Sequence, residues 1–350
     1  MIFGKDKTNY QAFDTVLRMI HVKILLASPN FHQPRGNTVT VQRIADSLAK
    51  LTIDTEIIST TEKEWTSLPE ADLVHGFHAY HFYKFMQSLD KKPEPYIVTI
   101  TGTDLNHDLF DENKREDVFA SLRGAAAIHV FDDKAKSVIT NELPDVEDKV
   151  FTIAQGNSDF PEEIPPVEKE ENSFLFVLPA GIRKIKNVPA AIQMMENLHE
   201  KFPTVRLWLV GPIIEEEEGK TVQELVRQHD WIQYLGQVPH STMGSIYQRA
   251  DVVINTSHSE GQPSALIEAM GYGIPVLVSN NPGNQSIVTH QKTGFVYSSP
   301  NEFLDYSEQI INNNEIKQKI GQQAKQYIIE HHSNTYEANA FVTIYKNIMK

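Results

Sequence analysis

The sequence predicts an α/β protein of two doubly wound domains facing a cleft, and three observations carry that reading. A chain of 350 residues is long for one domain and comfortable for two. Short β-branched runs alternate with helical patterns in both halves, as parallel sheets with crossover helices require. Between the halves, residues 160–172 combine proline with a charge run, the composition of an exposed linker. The expected division is 1–158, a linker at 159–172, and 173–335, with a terminal helix at 336–349 packing back onto the first domain.

Composition narrows the function classes. Hydrophobic residues make up 40 % of the chain, enough for two cores, and there is no cysteine, so disulfides and thiolate metal sites are excluded. The formal net charge of −14 disfavours nucleic acid or an anionic membrane as a broad partner; an anionic ligand must be held by a few local cations. No stretch reaches transmembrane length and the N-terminus lacks the apolar core of a signal peptide, so the expected location is cytoplasmic, with peripheral membrane contact left open.

Residues 1–20 place Tyr10, Phe13, Leu17 and Ile20 at helical spacing, a small packed helix or an accessory segment. Residues 22–27 form the first strand, Gly36 lies in the following turn, and Asn37 or Thr38 can cap a helix to about residue 50. Strands follow at 55–59, 73–75 and 96–101, with His75 and His78 at the end of the second. After 96–101 come Thr103 and Asp104, which suit either a helix cap or a ligand-facing loop. Runs 127–131 and 150–154 complete the first domain. The second opens with a strand from Phe174 and a loop with three cations, Arg183, Lys184 and Lys186; another strand follows from Val205, and residues 213–220 read as an exposed acidic loop. Two histidines three apart suggest a metal, but no third ligand stands at suitable spacing.

The stretch 250–279 organises the rest. A buried strand, a loop, a helix opened by Pro263 and a second strand at 274–278 put residues 258–262 beyond the carboxyl ends of the sheet, where open α/β sheets bind ligands. The free N–H groups of Ser264, Ala265 and Leu266 suit a phosphate. Two carboxylates, Glu260 in the loop and Glu268 one turn inside the helix, flank this anion site. Such a pair requires a ligand that also carries hydroxyl groups, as a nucleotide sugar does.

The run Glu260-Gly261-x-Pro263-x4-Glu268-Ala269-Met270-x-x-Gly273-x-Pro275-Val276 resembles the glutamate-x7-glutamate signature of the family-4 (glycosyltransferase group 1) retaining glycosyltransferases, which have the GT-B fold of two Rossmann-like domains. The leucine-proline-alanine-glycine loop before Arg183 is similar to that of the glycosyltransferase 1 domain-containing subgroup. The resemblance is strong over 174–296 and weaker over 22–156. It implies that Glu260 contacts the donor sugar, Glu268 the ribose hydroxyls, Arg183 and Lys186 the diphosphate, and Gly261 and Gly36 close backbone approach to the donor. Asp104, Thr103, His75 and His78 would reach sugar or acceptor. The loop at 181–187 is shorter than usual, which leaves Lys184 and Lys186 in competition for the phosphate. The implied activity is retaining, hexosyltransferase-type and metal-independent transfer from a nucleotide-diphosphate sugar to a glycan or small-molecule hydroxyl acceptor, without further cofactor. A non-catalytic GT-B partner or glycan-binding subunit and a GT-B sugar phosphorylase are the alternatives. A dinucleotide-dependent dehydrogenase is disfavoured, since no glycine-x-glycine-x-x-glycine follows the first strand.

Overall fold

Continuous apolar runs force strands to be covered on both faces, and the chain meets that demand twice. A computed structural model describes residues 22–33, 36–62, 64–163 and 167–350; the expected helix at 1–20 lies outside them. In the first half, β1 (Lys23–Ser28), β2 (Asp54–Ser59), β3 (Leu73–Phe77), β4 (Tyr96–Thr99), β5 (Ala127–Val130) and β6 (Val150–Thr152) alternate with α1 (Gly36–Ala49), α2 (Ala79–Gln87), α3 (Arg115–Gly124) and α4 (Asp133–Glu142). In the second half, β7 (Phe174–Pro179), β8 (Val205–Val210), β9 (Ile232–Gly236), β10 (Val252–Asn255), β11 (Val276–Ser279) and β12 (Phe295–Tyr297) are covered by α5 (Val188–Lys201), α6 (Glu216–Gln228), α7 (Met243–Tyr247), α8 (Ser264–Gly271), α9 (Pro282–Gln285), α10 (Pro300–Asn312) and α11 (Asn314–His331).

Both sheets are parallel, in the orders β2-β1-β3-β4-β5-β6 and β12-β11-β10-β7-β8-β9. The winding direction reverses between β1 and β3 in one and between β7 and β10 in the other. Ligand crevices form at such reversals, beyond the carboxyl ends of the strands. Here the two reversals face each other, and that relation positions the site.

The last helix, α12 (Asn334–Ile348), leaves the second half and packs on the first: Phe341 and Tyr345 are buried with Ile24, Leu26, Phe77 and Ile97. A buried ion pair fixes it there, Arg43 Nη2 lying 2.7 Å from Glu337 Oε1. The chain therefore crosses between the halves at 153–173 and again near His332.

Several local expectations change. The helix after β1 starts at Gly36, and Thr38 Oγ1 instead donates to the Gln33 carbonyl at 2.7 Å. The strand expected over 96–101 stops at Thr99 because the Thr101 N–H is taken by Asp104. The acidic run expected as a loop at 213–220 is largely the first turn of α6, with Glu216, Glu217 and Glu218 at its N-terminus, where the helix dipole favours carboxylates.

Candidate active site

Between the facing reversals lies a cavity of about 530 Å3 lined by both halves. From the first come Gly36 and Asn37 at the start of α1, His78 and His81 at the start of α2, and Gly102 and Thr103 after β4; from the second come Gly181, Arg183 and Lys186 after β7, and Glu260, Gly261, Ser264 and Ala265 after β10.

Lys186 and Glu260 form its charged centre. Lys186 Nζ lies 2.5 Å from Glu260 Oε1, and the same oxygen accepts from Ser257 Oγ at 2.6 Å and Asn255 Nδ2 at 3.0 Å. Burial alone would raise the Glu260 pKa; the Lys186 charge and these hydrogen bonds outweigh it and hold the carboxyl below its usual range, so it is a carboxylate at neutral pH. The two cations divide the work. Lys184 is exposed outside the cavity, its N–H bonded to Glu215, whereas Lys186 faces inward. Arg183 lines the cavity, makes no ion pair among the described residues, and has its Nε buried without a partner, which leaves it available to an anion.

Helix α8 starts at Ser264 after Pro263 in extended conformation. Ser264 and Ala265 border the cavity. Leu266 does not supply the third expected donor: its N–H is bonded to the Pro263 carbonyl at 3.1 Å and its side chain is in the core.

Glu268 departs from expectation most. It is 3 % exposed, does not border the cavity, and accepts hydrogen bonds from Ser158 Oγ at 3.0 Å, His240 Nε2 at 2.9 Å and the Tyr247 hydroxyl at 2.9 Å. A carboxylate accepts about four such bonds, so it is nearly saturated. Asp104 is likewise turned inward, contrary to a role across the cleft: Oδ1 takes the N–H and hydroxyl of Thr101, and Oδ2 takes the Ala79 N–H at the start of α2, each at 2.8 Å. It shapes the loop that presents Gly102 and Thr103.

His75 does not reach the cleft. It is buried beneath α12, with Nδ1 2.8 Å from the Tyr345 hydroxyl and Nε2 2.6 Å from Thr99 Oγ1, which lies 2.9 Å from His129 Nδ1. His129 Nε2 faces the Ile153 carbonyl, which can only accept, so one assignment satisfies every member: each group donates toward Ile153 and accepts from the Tyr345 side. His78 does line the cavity, as the N-cap of α2 with φ 69°, its Nε2 3.7 Å from Asp108.

Gly36 borders the cavity with open space around the place of a Cβ, whereas Gly102 and Gly261 meet across it: a Cβ on Gly102 would fall 2.7 Å from Gly261 N. Two side chains join the halves beside them, Asn106 Nδ2 donating to the Glu260 carbonyl at 3.0 Å and Gln262 Oε1 accepting from the Gln155 N–H at 3.2 Å. Sequence reasoning missed Asn106 and Gln155, and although it set residues 258–262 at the crevice it gave Gln262 no role. Lone amides carry no periodicity or motif, so only the meeting of the two halves reveals them. Among the described residues no group of three metal-ligating side chains converges, and no helix is long and apolar enough to cross a membrane.

Residues 159–327 match the family model for glycosyl transferases group 1. A Xenopus tropicalis protein named glycosyltransferase 1 domain-containing protein 1 is 28 % identical over 328 residues, covering 89 % of this chain and 94 % of that one. Among solved structures, Anabaena HepE in complex with UDP and glucose superposes with a TM-score of 0.73 at 15 % identity, covering 93 % of this chain and 100 % of that one. Sucrose-phosphate synthase from Thermosynechococcus elongatus gives 0.75 at 15 %, covering 94 % and 99 %. With the facing parallel sheets, these findings establish the GT-B fold, and residues 159–327 are similar to the glycosyl transferases group 1.

Proposed function

We propose that the chain moves a sugar from a nucleotide-diphosphate sugar to a hydroxyl acceptor with retention at the anomeric carbon. The observation that carries the reading is the Lys186–Glu260 pair facing a cavity that also holds the unpaired Arg183. Arg183, Lys186 and the N–H groups of Ser264 and Ala265 neutralise the diphosphate as it departs, which is where charge develops. Glu260, held ionised by Lys186, accepts hydrogen bonds from the donor sugar and sets its orientation. Glu260 Oε1 is held by Lys186, Ser257 and Asn255, which leaves Oε2 for the sugar; the acceptor attacks from the leaving-group side and its proton passes to the departing phosphate oxygen. Glu268 takes the ribose hydroxyls by exchanging the bonds from Ser158 or His240 for theirs. Nucleotide-sugar use is supported by the UDP and glucose in the HepE complex. A hydroxyl acceptor enters from the first domain, past His78, His81 and Thr103.

The test is a thermal-shift and calorimetric screen against UDP, GDP and ADP, followed by release of the diphosphate from the matching sugar donor. Stabilisation by one diphosphate and slow release from its sugar conjugate are expected, since a ligand that binds the native state raises the melting temperature. No binding to any of the three would contradict the reading.

A further inference from the structure

His81 borders the cavity on the first-domain side, and neither of its ring nitrogens has a hydrogen-bond partner among the described residues. Its place is fixed all the same. The His81 N–H points at His78 Nδ1 across the first turn of α2, its ring stacks obliquely on that of His78 with centroids 4.3 Å apart, and Tyr80 meets it edge-on. The charged groups near it are engaged by other partners. Asp108 is engaged by Lys114 at 2.8 Å and lies 3.7 Å from His78 Nε2, while Asp104 is consumed by three structural hydrogen bonds. Burial, and next to it the neighbouring His78, lower the His81 pKa to about 4 against the opposing pull of Asp108 and Asp104. At neutral pH the ring therefore carries one N–H donor and one bare nitrogen acceptor, both unspent.

We propose that His81 positions the acceptor: its imidazole reads a hydroxyl of an uncharged polyol or sugar, accepting from one hydroxyl and donating to an adjacent oxygen. The proposal rests on the transfer reading above and adds to it the residue that selects the acceptor and the acceptor's chemical class. A hydroxyl-rich molecule matches a neutral ring that both donates and accepts; a carboxylate or phosphate matches only half of it and leaves the bare nitrogen facing an anion. So weak a base does not abstract the acceptor's proton, which goes to the leaving phosphate oxygen, and His81 acts by placement alone.

The experiment compares wild type with His81→Phe and His81→Gln, using UDP-glucose and GDP-mannose as donors. Maltotriose, methyl α-glucoside and glycerol serve as neutral acceptor probes, and glucose 6-phosphate and glycerol 3-phosphate as anionic ones. Wild type is expected to transfer to at least one neutral probe and to prefer it at least tenfold in kcat/KM. His81→Phe should raise the KM for that probe about tenfold, with binding of UDP or GDP kept as the check on folding. His81→Gln, whose amide also donates and accepts, should recover most of the loss. An unchanged acceptor KM in His81→Phe, a His81→Gln enzyme as impaired as His81→Phe, preference for the anionic probes, or donor consumed with no transfer to any neutral probe would each overturn the proposal. A limb near pH 6.5 in the wild-type profile that disappears in His81→Gln would mark a titrating base and overturn it as well. Failure of wild type to bind either diphosphate or consume either donor would instead remove the transfer reading, and this proposal with it.

Discussion

Gly102 and Gly261 touch backbone to backbone across the cleft: a Cβ added to either would lie 2.7 Å from an atom of the other. Side-chain Cβ atoms do not approach backbone that closely, so the two glycines set how near the halves come. Gly102→Ala should hold the cleft ajar, pull the Asn106 bond off the Glu260 carbonyl, and lower turnover at least tenfold, because misplacement by about 1 Å costs about that much or more. Small-angle scattering with donor present should show a larger radius of gyration than wild type. Equal compactness and equal turnover would contradict the account.

The two lysines of the loop after β7 are predicted to separate cleanly. Lys186→Ala should weaken a nucleoside diphosphate about tenfold to a hundredfold while leaving the bare nucleoside little changed, since a charge-assisted hydrogen bond contributes roughly 1.5–3 kcal/mol. Lys184→Ala should do neither, because Lys184 stands outside the cavity. Calorimetric titration of both variants decides it, and a stronger effect at Lys184 would contradict the placement.

Ser158, in the segment that joins the halves, competes with the nucleotide for Glu268 in this account. Ser158→Ala frees one lone pair and should raise diphosphate affinity a few-fold, the worth of one ordinary hydrogen bond at about 1 kcal/mol. Glu268→Ala should lower it about tenfold or more. Unchanged affinity in both would mean that Glu268 serves only Ser158, His240 and Tyr247.

Acid should unfold the protein early. Burial lowers the pKa of His129 and His332 to about 4 each and holds that of His75 well below its usual value, so all three are neutral when folded and take protons near pH 6.5 when unfolded. Below about pH 6.5 the unfolded state binds more protons, and stability falls as pH drops from 6.5 toward 4, by up to ~1.4 kcal/mol per pH unit for each histidine. Urea midpoints at pH 7.5 and pH 5 measure this. Equal midpoints would contradict the neutral assignment of the Tyr345–His75–Thr99–His129 chain.

The sequence made the sheets and the charged centre legible for different reasons. β-branched runs such as Val252–Asn255 and Val276–Ser279 report burial directly, and the spacing of Glu260 to Glu268 with Arg183 and Lys186 is a motif whose chemistry can be argued residue by residue. The direction a polar side chain faces was not legible. His75 and His78 are three apart, yet one is sealed under α12 and the other borders the cavity. Asp104 and Thr103 are adjacent, yet Asp104 turns in to hold Ala79 while Thr103 faces out. Those outcomes depend on α12 and α2, which meet these residues only in three dimensions. The Gly102–Gly261 contact is more remote still, because it joins loops from separate domains.

Glu260→Gln tests the central claim most directly, since it keeps the side chain's shape and removes the charge that Lys186 holds in place. Release of diphosphate from the preferred nucleotide sugar, measured beside calorimetric binding of the diphosphate alone, separates the transition state from the ground state. Near-normal diphosphate affinity with release slowed at least tenfold is the predicted result. Release at the wild-type rate would contradict the assignment of Glu260 to the donor sugar, and with it the proposed mechanism.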